Sequence, residues 1–209
     1  HYKNYNTSVE VIKGIDLKIH SGEKVAVVGK SGSGKTSLIM LIGGLEKPSS
    51  GEIIFDQQSI SSFSEDQLAD IRKQKIGIVF QSFYLIPNYT ALENVSLILE
   101  INGDKNAKQQ AKELLVQFGL KDRLNHFPTQ LSGCEQQRVA IARSMAVKPK
   151  MILADEPTGN LDSENSDMIS KLLFEYADKN QSSLVLVTHD LKFAEKCDQM
   201  IKIEDGMIV

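Results

Sequence analysis

Gly29-Lys30-Ser31-Gly32-Ser33-Gly34-Lys35-Thr36 fits the pattern GxxxxGK[ST], whose residue types suit a chain of phosphates. Glycines let peptide N–H groups wrap phosphate oxygens, Lys35 bridges the terminal phosphates, and the Thr36 hydroxyl is a ligand for Mg²⁺, with Ser37 following it. A second group, Met151-Ile152-Leu153-Ala154-Asp155-Glu156, ends an apolar run in two carboxylates. Beside a phosphate loop these become a metal-holding acid, Asp155, and a general base for water, Glu156; alone they would read as a solvated turn. Leu131-Ser132-Gly133-Cys134-Glu135-Gln136-Gln137-Arg138 is a capped helix start with small residues, able to receive an anion.

These residues need strands that end and helices that begin at the right places. Lys24–Val28, Ile76–Phe80, Met151–Ala154 and Leu184–Val187 are short continuous apolar runs, predicting strands covered on both faces of a parallel sheet. Val9–Ile19 alternates apolar and polar residues, predicting a half-buried antiparallel strand broken near Gly14. Helical patterns over Lys35–Gly44, Ala107–Phe118, Glu135–Ala146 and Ser163–Ala177 alternate with the strands, so the fold class is α/β. Ser64/Gln67, Thr90/Glu93 and Ser132/Glu135 read as capping boxes. The stretch from Tyr89 to Leu131 is expected to be an inserted helical subdomain.

Taken in order, these motifs resemble those of ATP-binding cassette (ABC) proteins. The Ser132 segment is similar to the family signature LSGGQ; Gln81 falls where the family has its lid-like glutamine, Gly159-Asn160-Leu161-Asp162 where it has its D-loop, and His189 where it has its switch histidine. Tyr2, 27 residues before Gly29, stands where the family stacks an aromatic on adenine, although an exposed terminal tyrosine would look the same. The resemblance implies one domain over residues 1–209: a P-loop NTPase (RecA-like) core with mostly parallel sheet, an N-terminal antiparallel β subdomain whose first strand lies ahead of His1, and an α-helical insertion at about residues 89–131. It implies ATP and Mg²⁺ as ligands, the ion on Thr36, Gln81 and Asp155, and hydrolysis aided by Lys35, Gln81, Glu156 and His189. In the family Gly29, Ser31, Gly32, Ser33 and Gly34 cradle the phosphates. Ser132, Gly133, the residue at Cys134 and Asp162 approach a nucleotide held by a second copy or a homologous ATPase subunit. Val9–Ile15, Leu153–Asp162 and Asp205–Val209 resemble the macrolide-exporter, lipoprotein-release and cell-division branch, implying an integral membrane permease with an extracytoplasmic domain as partner and a cytoplasmic place at the inner membrane face.

Cys134 stands where the signature has its second glycine. The replacement reads as neutral, as a weakened site, or as a thiol open to oxidation; Cys134→Gly is expected to raise turnover, and an unchanged rate in the full complex would favour the neutral reading. Composition removes other classes. The chain has 209 residues, 41% hydrophobic, with net charge -3, which disfavours disorder and a basic nucleic-acid face. Lys35 and Asp155 are 120 residues apart, too close for the long coiled coils of DNA-repair relatives. The two cysteines form no CxxC pair, no apolar run reaches the length of a membrane span, and no leader pattern follows His1.

Overall fold

The computed structural model describes residues 2–4, 7–159 and 161–209, with residues 2–4 and 7–9 as backbone only. In chain order the elements are β1 (Tyr2–Asn4), β2 (Thr7–Val9), β3 (Lys24–Val28), α1 (Lys35–Ile42), β4 (Ile54–Phe55), β5 (Gln58–Ser59), α2 (Glu65–Lys75) and β6 (Ile76–Val79). There follow α3 (Ala91–Ile101), α4 (Ala107–Gln117), α5 (Gly133–Met145), β7 (Met151–Asp155), α6 (Ser163–Asn180), β8 (Ser183–Val187), α7 (Leu191–Ala194), β9 (Gln199–Glu204) and β10 (Met207–Ile208).

One sheet organises the rest, in the order β10-β9-β3-β8-β7-β6. All pairings from β9 to β6 are parallel, and only the β9–β10 hairpin is antiparallel. The apolar runs foretell this, because a parallel strand is covered on both faces. Strand alternation then sorts the core: Ile152, Ala154, Leu184 and Leu186 pack against the side carrying α3 to α6, whereas Leu153, Val185 and Val187 pack against α1. The register sets Val27 and Asp155 opposite Val187, and Val79 opposite Ala154. Parallel strands in this register end together, so the segments after β3, β6, β7 and β8 emerge along one sheet edge, where ligands of open α/β sheets bind.

Three expected capping boxes open α2, α3 and α5, with Ser64, Thr90 and Ser132 each accepting from the N–H three residues on and Gln67, Glu93 and Glu135 reaching back. Each is local chemistry, independent of the tertiary fold. The expected strand over Val9–Ile19 is corrected: β2 ends at Val9, and residues 10–20 form no strand. Its alternation does follow burial, since Ile15, Leu17 and Ile19 pack against the α1-side core while Asp16 and Lys18 are exposed. A strand also needs a ladder, and this segment pairs with no strand among the described residues. β9 has the reverse history: it was not expected, yet Ile201 and Ile203 face the core and Met200 and Lys202 do not, a period of two that the residues Met200–Ile203 do carry.

Candidate active site

At the end of β3 the chain turns through Gly29 to Gly34 and enters α1 without a side-chain cap, leaving its first N–H groups for a ligand. Gly34, the N-cap, has φ 106, and a Cβ there would lie 2.9 Å from Ile12 Cδ1 and 3.1 Å from the Val11 carbonyl; only glycine fits. Lys35 is buried, and its Nζ donates to the carbonyls of Gly29 at 2.8 Å and Lys30 at 2.9 Å. Two of three ammonium protons thus hold the loop, and one is left for an anion. Gly29, Ser31, Gly32, Gly34, Lys35, Thr36 and Ser37 line an open cleft of about 480 Å³, together with Gln81, Asp155, Glu156 and His189. Ser33 does not line it. Its N–H donates to the Lys30 carbonyl at 3.2 Å, and its buried hydroxyl has no hydrogen-bond partner among the described residues.

The second and third segments meet this loop because β7 and β8 end beside β3. Thr36 Oγ1 donates to Asp155 Oδ2 at 2.9 Å. Burial pushes the Asp155 carboxyl up from its ordinary range, while the Thr36 bond and the Lys35 charge draw it back. Hydroxyl, carboxylate and the Gln81 amide in one cleft make a hard-oxygen set, the donor type that suits Mg²⁺. Glu156 turns the chain at φ 47, a left-handed conformation that costs a non-glycine residue about 1 kcal/mol or more, and its N–H donates to the Val187 carbonyl at 3.0 Å. That turn brings its carboxylate, 18% exposed, to accept from His189 Nδ1 at 2.8 Å, with the imidazole 73% exposed in the cleft mouth.

Four further expected residues lie apart from the cleft. Ser132, Gly133, Cys134 and Asp162 do not line it. Ser132 caps α5 and Asp162 caps α6, accepting from Asn165 N–H at 2.9 Å, which holds the Asp162 carboxyl below its ordinary range. The Tyr2 side chain and Asn160 lie outside the described residues.

The sequence pattern of the ABC transporter family matches residues 12–159. The chain belongs to that family. The lipoprotein-releasing system ATP-binding protein LolD of Idiomarina loihiensis is 46% identical over 209 residues, covering 99% of this chain and 92% of the relative. LolD 2 of Chlorobaculum tepidum is 47% identical over 207 residues, covering 96% and 84%. Among solved structures, a dimeric post-hydrolysis state of the ATP-binding cassette MJ0796 bound to ADP and Pi superposes with TM-score 0.93 at 40% identity, covering 99% of this chain and 92% of that one. A second dimeric structure of that bacterial ABC transporter cassette has TM-score 0.93 at 41% identity, with the same coverage. As an ABC cassette, the chain is an ATP-binding, ATP-hydrolysing subunit with the P-loop NTPase fold. Among the described residues no helix is long and apolar enough to cross a membrane.

Membership sharpens the departure at Cys134. Its side chain is buried, on the inward face of α5 with Gln137 and Ile141, whereas Ser132 and Gly133 are exposed. The added atoms point away from the exposed end, which removes the steric reason for expecting Cys134→Gly to raise turnover. Burial pushes the thiol up, seconded by Asp162 and Glu135 against Arg138, so it is not the low-pKa, accessible thiol that oxidation needs.

Sequence reading missed several residues of this ABC cassette that organise the site. Val11 lines the cleft from an irregular segment, a role its residue type gave no sign of. Asn94, fully buried in α3, accepts from Ile86 N–H at 2.8 Å and donates to the carbonyls of Ile86, Tyr89 and Thr90, fixing the loop downstream of Gln81. Arg143 of α5 donates to the carbonyls of Phe83 at 3.0 Å and Tyr84 at 2.7 Å. An amide beside Val95 in the buried part of α3 is the available signal for Asn94; Arg143 offers none.

Proposed function

We propose that this chain binds Mg-ATP on the Gly29–Ser37 loop and hydrolyses it in a head-to-tail pair with a second copy or a homologous ATPase subunit. The pair drives an integral membrane permease in lipoprotein release, from the cytoplasmic side of the membrane. The observation that carries the reading is the meeting of Lys35, Thr36, Asp155, Glu156, Gln81 and His189 in one cleft while Ser132 and Gly133 stay exposed outside it. The names of the LolD relatives and the dimeric state of the structural neighbours support partner and process. Residues at about 89–131 act as an inserted helical subdomain of a single domain, consistent with α3 and α4 lying between the adjacent strands β6 and β7.

Lys35 and the peptide N–H groups of the loop bind and orient the phosphates, and Tyr2 stacks on the base. Thr36, Asp155 and Gln81 would hold Mg²⁺, which supplies charge neutralisation on the phosphate oxygens when bound. Glu156 takes the proton of the attacking water, and His189, beside it in the cleft mouth, stabilises charge on the γ-phosphoryl group. Ser132, Gly133 and Asp162 complete the site of the partner, and ATP thereby joins the two subunits. Phe83, Tyr84, Leu85 and Ile86, following Gln81, form the permease-facing groove, consistent with Tyr84 being 68% exposed.

Glu156→Gln tests the assignment. The variant is expected to bind ATP and dimerise in light scattering while turnover falls by about a hundredfold or more, the usual worth of a positioned base. Retained hydrolysis removes Glu156 from the role.

A further inference from the structure

Three hydrogen bonds run in series across the start of α5. Ser132 N–H donates to Glu135 Oε2 at 2.8 Å, Glu135 N–H donates to Ser132 Oγ at 3.2 Å, and Arg123 Nε donates to Glu135 Oε1 at 2.7 Å. Since the Ser132 oxygen already accepts from a peptide N–H, its hydroxyl proton is left for an outside acceptor. A phosphate oxygen is such an acceptor, and the adjoining N–H groups and helix dipole favour it too.

The same box introduces a cost. Glu135 sets a carboxylate one helical turn from the end that would receive a triphosphate, and like charges repel. Burial alone would raise the Glu135 carboxyl, but the bonds from Ser132 and the Arg123 guanidinium outweigh it and keep it charged below its ordinary range. Arg123 cancels that charge from the side, leaving the N–H groups open. It can do so because its turn, Lys121–Arg123, is anchored on buried Leu120 and by the Leu92 N–H bond to the Leu124 carbonyl at 2.9 Å.

We infer that Arg123 is a positioning residue of the ATP-bridged dimer: by pairing with Glu135 it fixes Ser132 as a hydroxyl donor and neutralises the signature end for the γ-phosphate held by a second copy. This rests on the reading that Ser132 and Gly133 meet the partner's nucleotide. The side chain of Arg123 is 43% exposed, so its removal opens no core.

The test compares, with Mg²⁺ and in the Glu156→Gln background, the ATP concentration that gives half-maximal dimer by light scattering. Arg123→Ala raises it by about tenfold, and the shift shrinks with added salt because its origin is charge. Arg123→Gln, which keeps a donor without charge, shows the same defect. Glu135→Gln alone stays within about twofold, and added to Arg123→Ala it restores the parent value, because glutamine serves the capping box without charge. A lost packing contact would not be rescued this way. An unchanged midpoint for Arg123→Ala, or a defect that Glu135→Gln fails to relieve, overturns the inference and leaves the sandwich reading standing. A parent that stays monomeric in ATP overturns self-pairing, and with it the inference, leaving pairing with a homologous ATPase subunit as the proposed function.

Discussion

Cys134 carries its sulfur into the protein, and that orientation decides what a glycine there would do. Helical residues three and four apart share a face, so Cys134 lies with buried Gln137 and Ile141 and not with exposed Gly133. Cys134→Gly therefore deletes a buried side chain and inserts a flexible residue in the first turn of α5, costing about 1 kcal/mol in unfolding midpoint by denaturant titration. Turnover per folded molecule is expected within about twofold of the parent, since no atom at the exposed end changes; a large rise would restore the weakened-site reading. Glu156 is the opposite case. Its identity was legible in the sequence, but its left-handed φ and its bond to His189 depend on Val187 accepting its N–H from the neighbouring strand.

At the scale of elements, helix starts marked by capping boxes were legible, whereas β9 and the short strands β1, β4, β5 and β10 were not. Thr90 and Glu93 form their box from residues three apart, so their pairing needs nothing beyond the local chain. Thr90→Ala removes the acceptor for Glu93 N–H and is expected to cost about 1 kcal/mol, with faster amide exchange in the first turn of α3. ATP affinity should be unchanged, because Thr90 does not line the cleft. For residues 10–20 the alternation correctly marked which side chains pack inward, yet a strand is a relation between two segments and alternation describes only one. β9 became a strand for the same reason reversed: parallel β3 is there to pair with it from Gln199 to Lys202.

Across the whole molecule, ion pairs join parts far apart in the chain. Asp56, at the turn between β4 and β5, meets Lys75 at the end of α2 at 2.9 Å and Lys150 before β7 at 2.9 Å. The two lysines lower its carboxyl from 3.8 to about 2. A carboxyl depressed in the folded state contributes stability that is present above pH 3.8 and is lost as pH falls toward about 2. Asp56→Asn should therefore lower the unfolding midpoint at neutral pH and flatten its decline in that acid window. Parallel midpoint curves for the two proteins would assign Asp56 no part in acid unfolding.

The residues Gly29–Thr36, Asp155, Glu156 and Ser132, with the caps and the buried strands, were legible in the sequence alone, because each depends on residue type and short spacing, whereas Gln81 and His189 stood out only through the resemblance to a family. Tertiary structure decided which of them share a space. Parallel pairing of β3, β6, β7 and β8 brings four chain-distant segments to one sheet edge and leaves Ser132 and Gly133 outside it. It also turned Cys134 inward, buried Ser33, and paired Arg123 with Glu135. These outcomes depend on which surfaces meet across the fold, a property carried by no single stretch of chain.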